Sequence, residues 1–232
     1  MIQVKKAVAV TYQKLLSDKK ELYEAMEKSC DLLLHGIEKN NIEGMSVEKV
    51  FVTDALQGGA GTSTHMNVNE VLASFTQKEL KNKQQVHPLD DMNRGQSTND
   101  VYPTALRIAA IQRLRELSEE CAKLQTALQE KENQYDGIKK LGRTELMDAV
   151  PITLGNEFGA YAQAVARDRW RLYKVEERLR QTNLGGTAVG TGIGNSHKYQ
   201  ALVIENLRDI TGIGLARAEY PMDMTQNQDV FV

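Results

Sequence analysis

AIQRLRELSEECAKLQTAL, residues 110–128, decides the fold class. Its apolar positions, Ala110, Leu114, Leu117, Cys121, Leu124 and Leu128, recur at alternating steps of 4 and 3. That rhythm lines one face of an α-helix and is the spacing of a bundle or coiled-coil seam. A second stretch keeps it through Leu154, Phe158, Tyr161, Val165, Leu172, Val175 and Leu179, with Asp168 where an apolar residue is expected. Arg167 and Arg169 flank that aspartate, so it reads as an ion pair that fixes register. Upstream, residues 4–38 read as two shorter helices separated near Ser17-Asp18, either of which suits an N-cap for the second. QGGAGTST, residues 57–64, breaks the pattern before a helix restarts through Asn69 to Leu80, and NLGGTAVGTGIGNS, residues 183–196, makes another glycine-rich break. With 4 prolines, 6% aromatics and abundant Ala, Leu, Glu, Lys, Arg and Gln, the chain is predicted to be all-α.

Composition narrows the partners. The 29 Lys and Arg against 31 Asp and Glu give a net charge of -2, so no bulk electrostatic attraction to nucleic acid or an acidic membrane is expected. No stretch approaches the ~20 apolar residues of a membrane span, and MIQVKKAVAVTYQ holds too short an apolar run for a signal peptide. Cys30 and Cys121 stand alone, without a CxxC, which fits reduced thiols. A cytoplasmic protein with a small-molecule or protein partner is expected.

Three segments repeat one recipe: glycine, then hydroxyl and amide side chains, then a helix. GQSTNDVYPTALR, residues 95–107, has Ser97, Thr98 and Asn99 ahead of Asp100, which is predicted to be the N-cap with Pro103 at the third helical position. GAGTSTHMN, residues 59–67, carries Thr62, Ser63, Thr64 and Asn67, and GRTELMDAVPITLG, residues 142–155, carries Thr144 between the two long helices. The first N–H groups of a helix lack intrahelical partners and face anions at its positive end. Three such clusters suit an acid with several carboxylates, and chemistry in which charge grows on a carboxylate. The glycines at 186, 190, 192 and 194 follow no expected strand and form neither GxGxxG nor GxxxxGK[ST]. His35, His65, His87 and His197 lack HExxH spacing, so no metal and no organic cofactor is implied.

These motifs, QGGAGTSTHMNVNEV (57–71), VHPLDDMNRGQSTNDVYPTALRIA (86–109), GRTELMDAVPITLGNEFGAYA (142–162) and LGGTAVGTGIG (184–194), resemble the aspartase/fumarase superfamily, most closely its aspartate ammonia-lyase branch. The resemblance covers essentially the whole chain. It implies a helical N-terminal domain over residues 1–98 and part of a central helical bundle over 99–232. It also implies a homotetramer whose active sites are shared between subunits, and elimination of ammonia from L-aspartate to give fumarate. By motif position it assigns substrate contact to Thr62, carboxylate binding to Ser97, Thr98 and Asn99, and a substrate-binding and catalytic role to Thr144. Glu145 stands where relatives carry histidine or glutamine, and it is expected to accept from the α-ammonium of aspartate. His87 and Asp90 of HPLD resemble a second anion-binding turn, with Leu89 in place of asparagine. The family's GSSxMPxKxNP loop, which supplies the serine base, does not occur in these 232 residues. The chain therefore resembles about half a subunit, truncated at both ends and inactive alone. Fumarate hydratase or another dicarboxylate lyase is the nearest alternative, and a non-catalytic helical oligomerisation module the more distant one.

Overall fold

A computed structural model describes residues 1–54 and 59–232, so Gln57 and Gly58 of the first glycine-rich motif lie outside the described residues. The chain divides into two compact units, residues 1–109 with 179–232, and residues 110–178.

In the first unit, α1 (Ile2–Leu15) leads through a 3-10 turn (Ser17–Lys19) into α2 (Lys20–Glu38). A short α3 (Val47–Val50) and then α4 (Thr62–Glu79) follow. The break near Ser17-Asp18 occurs as the sequence predicts, although the residue at the N-cap of α2 is Lys19 and no side chain caps it. α1 packs against α2 and against the later helix α7 (His197–Thr211), and α2 packs against α4. Val4, Ala7, Val8 and Ala9 have no solvent exposure. A helix apolar on nearly every side has to lie inside the fold, where each large apolar side chain contributes about 1.5–3 kcal/mol. Tyr12 locks the contact by stacking between Tyr23 and Tyr199, with ring centroids 5.0 and 4.9 Å away. A charged residue breaks the pattern: Lys5, also fully buried.

The second unit contains the distal part of α5 (Thr98–Gln134), the hairpin of β1 (Lys139–Thr144) and β2 (Met147–Thr153), and most of α6 (Leu154–Leu179). The hairpin is the main departure from an otherwise helical fold. Lys139 pairs with Thr153 and Thr144 with Met147, and the ladder shifts register between Leu141 and Arg143. Leu154 and Gly155 join it to the turn that follows α5, their N–H groups donating to the carbonyls of Ile138 and Tyr135.

The seam of α6 is offset from the sequence expectation. Tyr161 and Val175 are exposed, while Ala162 and Glu176 are buried. Glu176 forms a two-point pair with Arg115, Nε to Oε2 at 3.2 Å and Nη2 to Oε1 at 2.8 Å. Asp168 does not occupy the seam. It is exposed and pairs with Arg171 one turn on, while Arg169 turns inward to donate to Gln125 at 2.8 Å.

After α6 the chain returns to the first unit through β3 (Gln181–Thr182), the glycine-rich loop, α7, β4 (Ala216–Arg217) and α8 (Pro221–Gln226). β3 and β4 pair in parallel over two residues, so a short strand does precede the glycines. Two N–H groups of that loop, those of Gly185 and Thr187, are taken up by the buried Asp100 carboxylate. Among the described residues no helix is long and apolar enough to cross a membrane.

Candidate functional site

The start of α5 is set by a reciprocal cap. Ser97 precedes the helix and its Oγ accepts from the N–H of Asn99 at 3.2 Å, while Asp100 Oδ1 accepts from the Ser97 N–H at 2.9 Å. Ser97, not Asp100, is therefore the cap, and Asp100 is the third-position partner of a capping box. Pro103 falls beyond the first turn, inside the helix. Its missing N–H frees the Asn99 carbonyl, and Asn183 Nδ2 supplies the lost donor at 3.0 Å.

Asp100 also holds the glycine-rich loop. Its Oδ2 accepts from the N–H groups of Gly185 at 3.1 Å and Thr187 at 2.9 Å. Burial pushes this carboxyl up to about 6, although the backbone donors from Ser97, Thr187 and Gly185 pull the other way. Asn99 Nδ2 donates to the Ala188 carbonyl at 2.8 Å, and Asn183 Nδ2 also reaches Thr225 Oγ1 at 2.8 Å. The loop thus joins the start of α5 to the last turn of α8.

The start of α4 approaches from the other side. Gly61 precedes the helix with φ 82°, and a Cβ there would lie 2.5 Å from the Tyr102 ring, so only glycine lets α4 and α5 come this close. One turn on, His65 is fully buried. Its Nδ1 lies 2.8 Å from Thr98 Oγ1 and its Nε2 2.8 Å from Lys5 Nζ. Burial, with the Lys5 charge beside it, holds the imidazole down to about 3. Burial likewise draws the Lys5 ammonium down to about 7, against the opposing pull of Asp100.

The two helix starts border one cavity of about 280 Å³. Gly59, Ala60, Gly61 and Thr64 line it from the α4 side, Thr98, Asn99 and Tyr102 from α5, and Thr225, Gln228 and Phe231 from the C-terminal segment. The lining is mixed: Tyr102, Pro103, Leu106 and Phe231 supply apolar walls, while the hydroxyls of Thr64, Thr98 and Thr225 and the amides of Asn99 and Gln228, with no acidic side chain among the described lining residues, offer donors to an acceptor at two positive helix ends. No group of three or more His, Cys, Asp or Glu that could hold a metal occurs among the described residues.

Of the residues singled out in the sequence, Thr98 and Asn99 line this cavity. Thr62 is exposed at the first position of α4, and the threonine of that helix that lines the cavity is Thr64. Ser97 serves the cap. Thr144 belongs to the other compact unit, at the end of β1, where it borders an open groove with Lys140, Arg143 and Asp148. Glu145 and Leu146 make the two-residue hairpin turn with φ 50° and 66°, conformations usually left to Asn or Gly, and both are exposed.

In the HPLD turn, His87 Nδ1 accepts from the N–H groups of Leu89 at 3.3 Å and Asp90 at 3.2 Å. The ring nitrogen thus satisfies both of these N–H groups. A nitrogen used as acceptor has no proton to give, so the 3.4 Å approach of Asp90 Oδ2 to the same atom is not a hydrogen bond in this arrangement. Asp91 anchors the turn by accepting from the His87 N–H at 3.0 Å and pairing with Lys19 at 3.0 Å.

Sequence reasoning missed Lys5, His65 and Tyr102, and it placed Thr64 in the donor cluster while assigning the substrate contact to Thr62. A lysine inside the apolar run VKKAVAV was the one available signal for Lys5. His65 is 60 residues away, and only tertiary packing brings the two together.

A family model described as Lyase matches residues 1–232. The chain belongs to that lyase family. Among curated lyases it is 38% identical to the aspartate ammonia-lyase of Helicobacter pylori, over 99% of this chain and 48% of that protein. It is 36% identical to the aspartate ammonia-lyase of Bacillus subtilis, over 98% of this chain and 47% of that one. The chain spans about half the length of the curated relatives it matches. The solved structure described as fumarate lyase:delta crystallin from Brucella melitensis superposes with a TM-score of 0.90 at 38% identity, over 99% of this chain and 49% of that one. A class II fumarase from Schistosoma mansoni follows with a TM-score of 0.84 at 26% identity, over 96% and 49%. The resemblance seen in the four motifs and the expected helical class are both borne out.

Proposed function

We propose that this chain supplies the carboxylate-holding part of an aspartate ammonia-lyase, which eliminates ammonia from L-aspartate to give fumarate. The observation that carries the reading is the cavity at which the starts of α4 and α5 meet, lined by Thr64, Thr98 and Asn99. Removing a C3 proton from aspartate drives negative charge onto the neighbouring carboxylate. Donors fixed by the protein stabilise that charge more than they stabilise the ground state. Hydroxyl, amide and helix N–H donors at a narrow glycine-permitted approach suit this task. The 36% and 38% identities to aspartate ammonia-lyases support the choice of amine substrate.

In this reading Thr98 and Asn99 hold a substrate carboxylate, with Thr62 and Ser97 at the edge of the same donor cluster. Thr144 and Glu145 serve a site completed by another subunit, Glu145 accepting from the substrate ammonium. The oligomer is a homotetramer. Support for association comes from the apolar side chains that α5 and α6 leave exposed: Leu117 at 52%, Leu124 at 51%, Tyr161 at 52% and Trp170 at 63%. The serine base belongs to the GSSxMPxKxNP loop, which these 232 residues do not include, so the chain on its own binds dicarboxylates without turning them over.

Sedimentation of the 232-residue chain, combined with calorimetric titration of fumarate and L-aspartate and an ammonia-release assay, tests the reading. It expects self-association, dicarboxylate binding and no ammonia. An assembled chain that ignores both dicarboxylates supports a helical oligomerisation module instead, and normal turnover by the chain alone contradicts the assignment of the base.

A further inference from the structure

Lys5 is fully buried and is an ammonium below pH 7, and no carboxylate lies within ion-pair distance of it among the described residues. Its Nζ is surrounded by acceptors: Gln96 Oε1 at 2.8 Å, Asn93 Oδ1 at 3.3 Å, the Met92 carbonyl at 3.4 Å and His65 Nε2 at 2.8 Å. An ammonium has protons to give and nothing to accept with, so it requires a lone pair on His65 Nε2. A neutral imidazole has one protonated nitrogen, so the proton is placed on Nδ1, where the partner 2.8 Å away is Thr98 Oγ1. Thr98 then accepts from the ring and keeps its own hydroxyl proton for the cavity it lines.

We propose that Lys5 and His65 are positioning residues that fix the Thr98 hydroxyl as a hydrogen-bond donor into the cavity, toward a substrate carboxylate. The inference rests on the reading of that cavity as a carboxylate site. With the opposite tautomer, Thr98 donates into the ring and turns a lone pair toward the carboxylate, exchanging an attraction for a repulsion. A hydrogen bond to a charged acceptor corresponds to roughly a ten- to hundredfold change in affinity. Neither residue touches the ligand, so they act through Thr98 alone.

The test uses the 232-residue chain with 15N-labelled histidine, its ring nitrogens assigned by NMR at pH 6, together with calorimetric titration of fumarate. The wild-type chain is expected to show a neutral His65 ring protonated on Nδ1. Lys5→Met is expected to move the proton toward Nε2 and to weaken fumarate binding roughly tenfold or more. His65→Asn puts an amide N–H where the Nδ1 proton was and is expected to keep most of the affinity, whereas His65→Leu loses it. The ring spectrum of the wild-type chain needs no variant, so a Lys5→Met chain that fails to fold leaves the test intact. Fumarate binding with the ring protonated on Nε2 overturns this inference alone, and so does a His65→Leu chain that binds as tightly as wild type. A wild-type chain that binds no fumarate removes the carboxylate reading and this inference with it.

Discussion

Asp100 accepts, through Oδ2, the backbone N–H of Thr187 at 2.9 Å across 87 residues of sequence. The same carboxylate takes the N–H of Gly185 and, through Oδ1, that of Ser97. Asp100→Ala leaves these donors buried and unsatisfied. Its expected cost is on the order of 2–3 kcal/mol, read as a lower urea midpoint at unchanged slope. A midpoint within error of wild type contradicts the role of Asp100 as the fastening between α5 and the glycine-rich loop.

Acid stability gives a second prediction. His65 is held down to about 3 from an ordinary 6.5, so between those pH values the unfolded chain takes up a proton that the folded chain refuses. Stability therefore falls as pH drops from 6.5 toward 3. Asp100, pushed up to about 6 from 3.8, acts in the opposite sense, holding a proton when folded that the unfolded chain releases. His65→Asn removes the first effect and leaves the second. Denaturant titrations across this range should show the variant less acid-sensitive than wild type by about 2–4 kcal/mol at the low end. Parallel pH profiles contradict the assignment of a neutral, buried His65.

Close helix approach at the cavity mouth is equally testable. Gly61→Ala sets a Cβ 2.5 Å from the Tyr102 ring on a residue with φ 82°. Strain at such a position costs of order 1–3 kcal/mol. The shifted ring is expected to lower fumarate affinity more than a matched substitution at Gly44, which has φ 85° and no neighbour within 4 Å. Equal effects at the two glycines refute the close approach.

How far the sequence could be read is clearest in α6. Its helical period was legible, as were the donor-rich starts of α4 and α5. Its phase was not, because an apolar count ignores glycine. Gly155 lies so close to α5 that a Cβ there would stand 2.5 Å from the Glu132 carbonyl, so small residues set the inner face and turn Tyr161 outward. The hairpin escaped for a related reason. GRTELMDAVPITLG shows its donors and its place between helices, while the alternation that pairs Leu141 with Pro151 is interrupted by a register shift. Thr98 and Asn99 were found because capping chemistry is local. Lys5 and His65 were not, because a buried hydrogen bond between residues 60 apart leaves no periodic trace.

The corrected seam separates two charged residues of α6. Asp168 and Arg171 are both exposed, so Asp168→Ala is expected to change stability by less than about 0.5 kcal/mol. Glu176 is buried and pairs at two points with Arg115, so Glu176→Ala is expected to cost about 1–3 kcal/mol. Thermal unfolding of the two variants side by side checks the order, and a larger loss at Asp168 contradicts the assigned phase.

The central claim is that a dicarboxylate is held where α4 and α5 begin. Titrating 15N-labelled chain with fumarate while following backbone and side-chain amide shifts tests it most directly. The account predicts saturable changes centred on Thr64, Thr98 and Asn99, abolished by Asn99→Ala with the fold intact. Changes centred on the 139–153 hairpin or the HPLD turn, with the α4 and α5 starts unmoved, would contradict it.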